Sequence, residues 1–155
     1  KSRKIPTIAL TSLGTGKLGV IDKREELRFE ELKSVGINFE ELSNFPNDIL
    51  LSEFKSKDGI PMMKRGVIFT AEQSKAKILS EIFRRIKYQP KNIVFIDDTL
   101  THLLDLEKLC DDLDISYQGF HYIASILRPL PFINEKKEKE RMNKLLQEYK
   151  WRPVL

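Results

Sequence analysis

Apolar and polar positions along the chain fall into short apolar runs and longer amphipathic stretches, and their order predicts the elements. Thr7 to Leu10, within IPTIALTS, reads as a short strand; Pro6 suits a strand entrance and disfavours a helix there. A Gly-rich stretch, SLGTGKLG, follows. In DKREELRFEELKSVG, Phe29 and Leu32 share a face, Asp22 and Glu25 have capping-box spacing, and Gly36 is placed to stop a helix. Ile37 to Met63 mixes short apolar pieces with Pro46, Gly59 and Pro61, and reads as irregular with room for one short helix.

The second half is more regular. Gly66 to Phe69 reads as a strand, and SKAKILSEIFRRIKY sets Ile78, Ile82 and Ile86 at spacings of four beside Leu79 and Phe83, which predicts an amphipathic helix. The turn YQPKN leads to the strand IVFI, then to DDT and a helix around LLDLEKLCDDL; Ile115 to Gln118 reads as a further short strand. From 134 to 150, Met142, Leu145, Leu146 and Tyr149 lie on one side with charges opposite, which predicts a helix docked by that stripe, with Trp151 as an anchor.

Strands alternating with helices predict an α/β fold, a Rossmann-like, mostly parallel sheet flanked by helices in one domain. In such folds ligands sit beyond the carboxyl ends of the strands. Thr11 and Ser12 follow the first strand, Thr70 to Lys75 the second, and Asp97 and Asp98 the third, so hydroxyl, ammonium and paired carboxylates are expected on one rim.

Composition narrows the partners. The 155 residues, 41% hydrophobic and 32% charged, suit a single globular domain. The net charge of +4 suits anionic partners, but basic and acidic residues are interleaved without a basic patch, so no nucleic-acid partner is expected. A single cysteine, Cys110, excludes an internal disulfide, and with only His102 and His121 beside it a zinc site is a poor fit. The chain holds no apolar run long enough for a membrane helix or signal peptide; a signal upstream would decide between a cytoplasmic and an exported location.

Two adjacent carboxylates at the end of an apolar strand repel each other unless a cation or donors compensate. Asp97 and Asp98 suit Mg²⁺, which takes oxygen ligands and keeps several waters. Lys75 at a helix start opposes the helix dipole unless an anion sits there, and the Thr11 hydroxyl can donate to a phosphoryl oxygen. Plainer readings stand beside these: Asp97 to Thr99 as a helix cap, Lys75 as a surface residue, Thr11 as a turn hydroxyl, and His102 and His121 as structural. The GTGK letters do not make a P-loop, because one residue separates Gly14 from Gly16 and Leu18 follows Lys17; a dinucleotide fingerprint is rejected on the spacing of Gly19, with only two residues between it and Gly16, and because no helical pattern follows it at once.

On IALTS ending at Thr11, SKAKIL containing Lys75, and IVFIDD with Asp97 and Asp98, the sequence resembles the haloacid-dehalogenase-like hydrolases, most closely a bacterial branch. The resemblance extends loosely through YQGFHY. It implies that Thr11, with Ser12, holds phosphoryl oxygens, that Lys75 balances their charge, with Lys77 as a less favoured alternative, and that Asp97 and Asp98 hold Mg²⁺. Where many members carry a further Asp or Asn, this chain has His102 and Leu103.

The family's first motif, a strand ending in Asp-x-Asp that supplies the nucleophile, has no counterpart; Asp112 and Asp114 come after the fourth motif and before a strand. That strand is central in the family fold, so the expectation is a carboxyl-terminal portion of a larger protein, completed by an upstream segment of the same protein or by a complementing chain. The implied activity of the intact protein is Mg²⁺-dependent, phosphatase-like hydrolysis of a phosphomonoester through an aspartyl-phosphate. The alternative is a catalytically inactive interaction module on the same scaffold.

Overall fold

In chain order the elements are β1 (Ala9–Thr11), α1 (Arg24–Ser34), α2 (Glu40–Ser43), β2 (Ile49–Leu50), a 3₁₀ turn (Ser52–Phe54), β3 (Met62–Lys64), β4 (Val67–Phe69), α3 (Lys75–Ile86), β5 (Asn92–Asp97), α4 (Leu100–Asp112), β6 (Ser116–His121), α5 (Ala124–Leu127) and α6 (Glu135–Glu148). The computed structural model describes residues 5–43, 45–46, 48–127 and 134–148. They divide into two units, Lys1–Glu72 with Pro131–Leu155, and Gln73–Leu130.

In the first unit the sheet order is β1-β4-β3-β2. β1 runs parallel to β4, with Ala9 opposite Val67 and Thr11 opposite Phe69, whereas β3 is antiparallel to both β4 and β2. This sheet is therefore mixed where a mostly parallel one was expected. Lys64 pairs with Val67 across Arg65 (φ 47°) and Gly66 (φ 73°), and two successive left-handed residues make the tight hairpin turn whose twist suits antiparallel strands. Met62 and Met63 of β3 fall in the stretch that read as irregular, whereas β4 lies where a strand was expected.

β4 is central and buried on both faces: Val67, Ile68 and Phe69 are each at most 1% exposed. Leu51 and Met63 join them in the core, and Phe29 of α1 meets Phe69 edge-on with ring centres 5.8 Å apart. α1 ends as expected at Gly36 (φ 75°), whose N–H reaches Lys33 O while the Ile37 N–H reaches Leu32 O; this paired closure needs a left-handed residue. The expected capping box does not form. Lys23 occupies the cap position without a side-chain bond, and the Glu25 carboxylate turns away to accept the Gly16 N–H at 2.8 Å.

α6 starts where Asn134 Oδ1 accepts the Lys137 N–H at 3.0 Å. Leu145 lines a groove with Ile21, Lys23 and Leu27, but Met142 stays 55% exposed, so the expected docking stripe is only partly covered. Tyr149 and Trp151 lie outside the described residues.

The second unit is a parallel pair, β5 and β6, in register from Asn92 opposite Ser116 to Asp97 opposite His121. α3 and α4 pack together, with α4 against both strands. The apolar face that predicted α3 is the one buried, through Ile78, Leu79, Ile82 and Phe83, and α4 adds Leu103, Leu106 and Cys110. Ser74 caps α3 by accepting the Lys77 N–H. Tyr117 donates its hydroxyl to Leu103 O at 3.0 Å, and burial pushes its pKa up to about 12. Among the described residues no helix is long and apolar enough to cross a membrane.

Burial separates two substitutions that look alike on paper. Ile82→Ala is expected to lower unfolding free energy by about 2–5 kcal/mol, because Ile82 is enclosed on every side. Met142→Ala is expected to stay within about 0.5 kcal/mol. Urea denaturation of both variants checks the contrast; equal losses would mean that α6 is docked through Met142 after all.

Candidate functional site

The candidate residues occur in two groups, one in each unit. In the first unit Thr11 closes β1 and Thr70 follows β4. Three backbone bonds lace the loops beyond these strands: Thr70 N–H to Thr11 O (2.9 Å), Ala71 N–H to Leu13 O (3.3 Å) and Glu72 N–H to Ser12 O (2.9 Å). Thr11 Oγ1 accepts the Leu13 N–H at 3.3 Å, the turn role that its plainer reading assigns, and its own hydroxyl hydrogen stays available to a ligand. Thr11 and Ser12 are half-buried.

The rim carries two unusual features. Ala71 (φ 50°) and Glu72 (φ 61°) are successive left-handed residues with side chains, a conformation that costs about 1–3 kcal/mol apiece and persists where the surroundings enforce it. The Thr70 hydroxyl is fully buried and has no hydrogen-bond partner among the described residues. Thr70 lay inside the sequence window of interest, but nothing in its letters marks an unpaired hydroxyl.

The Gly-rich stretch is held by its own chain. Thr15 Oγ1 donates to Ile60 O and accepts the Ile60 N–H, and Arg24 Nη2 donates to Thr15 O and Asp58 O. A Cβ on Gly14 would fall on the Arg24 guanidinium. Gly14, Gly16 and Gly19 do have the spacing of a dinucleotide fingerprint, but α1 starts only at Arg24 and the Gly16 amide already serves the Glu25 carboxylate. A fixed negative charge on that amide opposes phosphate there.

In the second unit a buried cluster forms at the carboxyl end of β5. Lys75, the first residue of α3, reaches Asp97 Oδ2 at 2.6 Å, with the two side chains 9% and 5% exposed. Asp97 Oδ1 accepts the Thr99 N–H at 2.9 Å and contacts His102 Nδ1 at 3.1 Å. Burial pushes the Asp97 pKa up, but the hydrogen bonds from Lys75, Thr99 and His102, with the charge of Lys75, outweigh it and hold the group below the ordinary aspartate value. An ionised Asp97 only accepts, so His102 Nδ1 is the donor in this contact.

Asp98 differs from its neighbour. It is exposed, with its carboxylate 3.4 Å from the Thr99 hydroxyl, and its backbone O meets His121 Nε2 at 3.1 Å. Both histidines that read as structural therefore stand at the Asp97–Asp98 turn. The spacing of five between Asp97 and His102, which sets His102 in the first turn of the next helix, was the available signal. Among the described residues no group of three or more His, Cys, Asp or Glu side chains forms a cage for a metal ion. Mg²⁺ is commonly held by one or two carboxylates with waters and substrate phosphate, a demand that does not need such a cage.

Removing one partner of a buried pair leaves the other charge uncompensated. Lys75→Met is expected to cost about 3 kcal/mol or more, and the Lys75→Met, Asp97→Asn double variant less than Lys75→Met alone, in chemical denaturation. The sign with pH follows from the lowered Asp97 pKa. The stability wild type gains over Asp97→Asn is complete above about pH 4, the unfolded aspartate range, and is lost as pH falls through the lower folded value. A difference that grows on acidification would contradict the charged pair.

No solved structure matches the chain. The uncharacterized protein RP296 of Rickettsia prowazekii (strain Madrid E) is 27% identical over 116 residues, covering 74% of this chain and 41% of that protein. The chain thus spans less than half the length of the curated relative it matches. A family model described as protein of unknown function (DUF2608) matches residues 1–150, and the chain belongs to that family.

Proposed function

We propose that this chain is part of a Mg²⁺-dependent, phosphatase-like hydrolase with a haloacid-dehalogenase-like fold, acting on a phosphomonoester. The observation that carries this reading is the buried Lys75–Asp97 pair at a strand end with Asp98 exposed beside it. A hydrophobic core has no use for such a cluster, whereas phosphoryl transfer needs cationic and oxygen-ligand groups fixed in advance. The hydroxyls of Thr11 and Ser12 hold phosphoryl oxygens, Lys75 balances their charge, and Asp97 and Asp98 hold the metal. Bound there, Mg²⁺ supplies charge neutralisation at the phosphoryl oxygens.

The nucleophilic aspartate belongs, on this proposal, to polypeptide outside the 155 residues: an upstream segment of the same protein or a complementing chain. Its carboxylate oxygen bonds to phosphorus as the ester P–O bond breaks, and the leaving oxygen takes a proton from the second aspartic acid of the same Asp-x-Asp, departing as the alcohol. Water then cleaves the acyl-phosphate and regenerates the carboxylate. His102 gives a specific reason to keep a second reading, a catalytically inactive interaction module. It occupies one oxygen of Asp97 while Lys75 occupies the other, so the carboxylate is already satisfied without a cation.

Turnover of p-nitrophenyl phosphate with Mg²⁺ separates these readings. The 155-residue chain is expected to be inactive and the longer polypeptide active. Asp98→Asn and Thr11→Val are each expected to lower kcat by on the order of 10²-fold. Turnover by the 155 residues alone would remove the external nucleophile, and a longer polypeptide that binds Mg²⁺ without turnover would favour the interaction module.

A further inference from the structure

β5 has the sequence of a strand buried on both faces, but only one face is covered. IVFI, Ile93 to Ile96, is a continuous apolar run, the signature of a parallel strand with cover on either side. β4 fulfils that signature, while β5 alternates. Ile93, Phe95 and Asp97, with Tyr117 of β6, face the helices: Tyr117 bonds Leu103 of α4, and Asp97 bonds Lys75 and His102. Val94 and Ile96 on the other face are 63% and 64% exposed, and Phe120, which pairs with Ile96, is 47% exposed.

Among the described residues, the same β5 positions also lack backbone partners. Lys91 O accepts the Ser116 N–H and Asp97 O accepts the Tyr122 N–H, so the odd-numbered positions address β6. In a parallel ladder the alternate residues direct N–H and C=O to the opposite edge. That row belongs to Asn92, Val94 and Ile96, and among the described residues no strand pairs with it. A lone two-stranded sheet with one bare apolar face is a marginal structure in water.

We infer that the free edge of β5 and the bare face of Val94, Ile96 and Phe120 receive a strand-and-helix segment from polypeptide outside residues 1–155. An extended strand satisfies the three residues' backbone groups. Handedness supplies the helix: the β5–α4–β6 crossover sets α4 on one face, so a right-handed crossover leading from the new strand away from β5 carries its helix on the other. That other face is the uncovered one. More than half of the Rickettsia relative lies outside the matched region, which provides chain of the required length. The inference deepens the proposal of an external completing segment and rests on it for the occupant, but docking is read without any turnover.

Amide hydrogen exchange of the 155-residue chain and of the polypeptide with its encoded flanking sequence tests this. The amides of residues 92, 94 and 96 are expected to exchange at least about 100-fold more slowly in the longer polypeptide. Val94→Asp with Ile96→Asp is expected to abolish that protection while leaving the melting temperature of the 155-residue chain unchanged. Equal exchange in the two polypeptides would overturn the inference. Protection that rises with concentration of the 155-residue chain alone would overturn it in favour of a second copy. Protection in a longer polypeptide that lacks phosphatase activity would keep the docking and reject the enzyme.

Discussion

A buried carboxylate at the end of β5 constrains its surroundings more than any apolar contact does. Asp97 has lost most of its water, and an isolated ionised group in that position would shed its charge instead. It stays ionised because three parts of the unit converge on it: the start of α3 through Lys75, the turn amide of Thr99, and the first turn of α4 through His102. Lys75 pays for this with an unfavourable position at the positive end of its helix. The pair fixes α3, β5 and α4 relative to one another, and any anion recruited by Lys75 must compete with Asp97.

The Gly-rich loop illustrates the opposite use of charge. Its letters invite a phosphate, but its amide is taken by Glu25, its carbonyl by Arg24, and its threonine hydroxyl by Ile60. These three groups have partners within the first unit, so the loop is a clasp that holds α1 to the segment around Ile60. A motif defined by glycine spacing cannot reveal this, because the competing carboxylate comes from outside the motif.

Local patterns were legible where one physical cause dominates. The four-residue spacing of Ile78, Ile82 and Ile86 announced α3, Gly36 announced the end of α1, and the apolar runs announced β4 and β5. The hairpin of β3 and β4 was not legible, because it turns on left-handed Arg65 and because Met62 and Met63 break strict alternation. Asp97 and Lys75 were identified as candidates, but their direct pairing, the part played by His102 and the unpaired hydroxyl of Thr70 depend on tertiary placement. The stripe on α6 misled because amphipathic spacing says which residues share a face, and not that a partner surface lies opposite Met142.

The mismatch between the sequence of β5 and its burial bears on the chemistry of its tip. A strand held along one edge and one face can twist and bend more freely than one held on all sides, and Asp97 and Asp98 ride at its end. The buried pair restrains Asp97 through Lys75, but nothing comparable among the described residues restrains Asp98, whose carboxylate meets the Thr99 hydroxyl. Catalytic groups need placement within about half an ångström, which exposed side chains on a half-covered strand do not achieve by themselves. A strand added beside β5 would stiffen the tip and, if parallel, present its own carboxyl end next to the two aspartates. Completing the sheet and completing the site would then be one event.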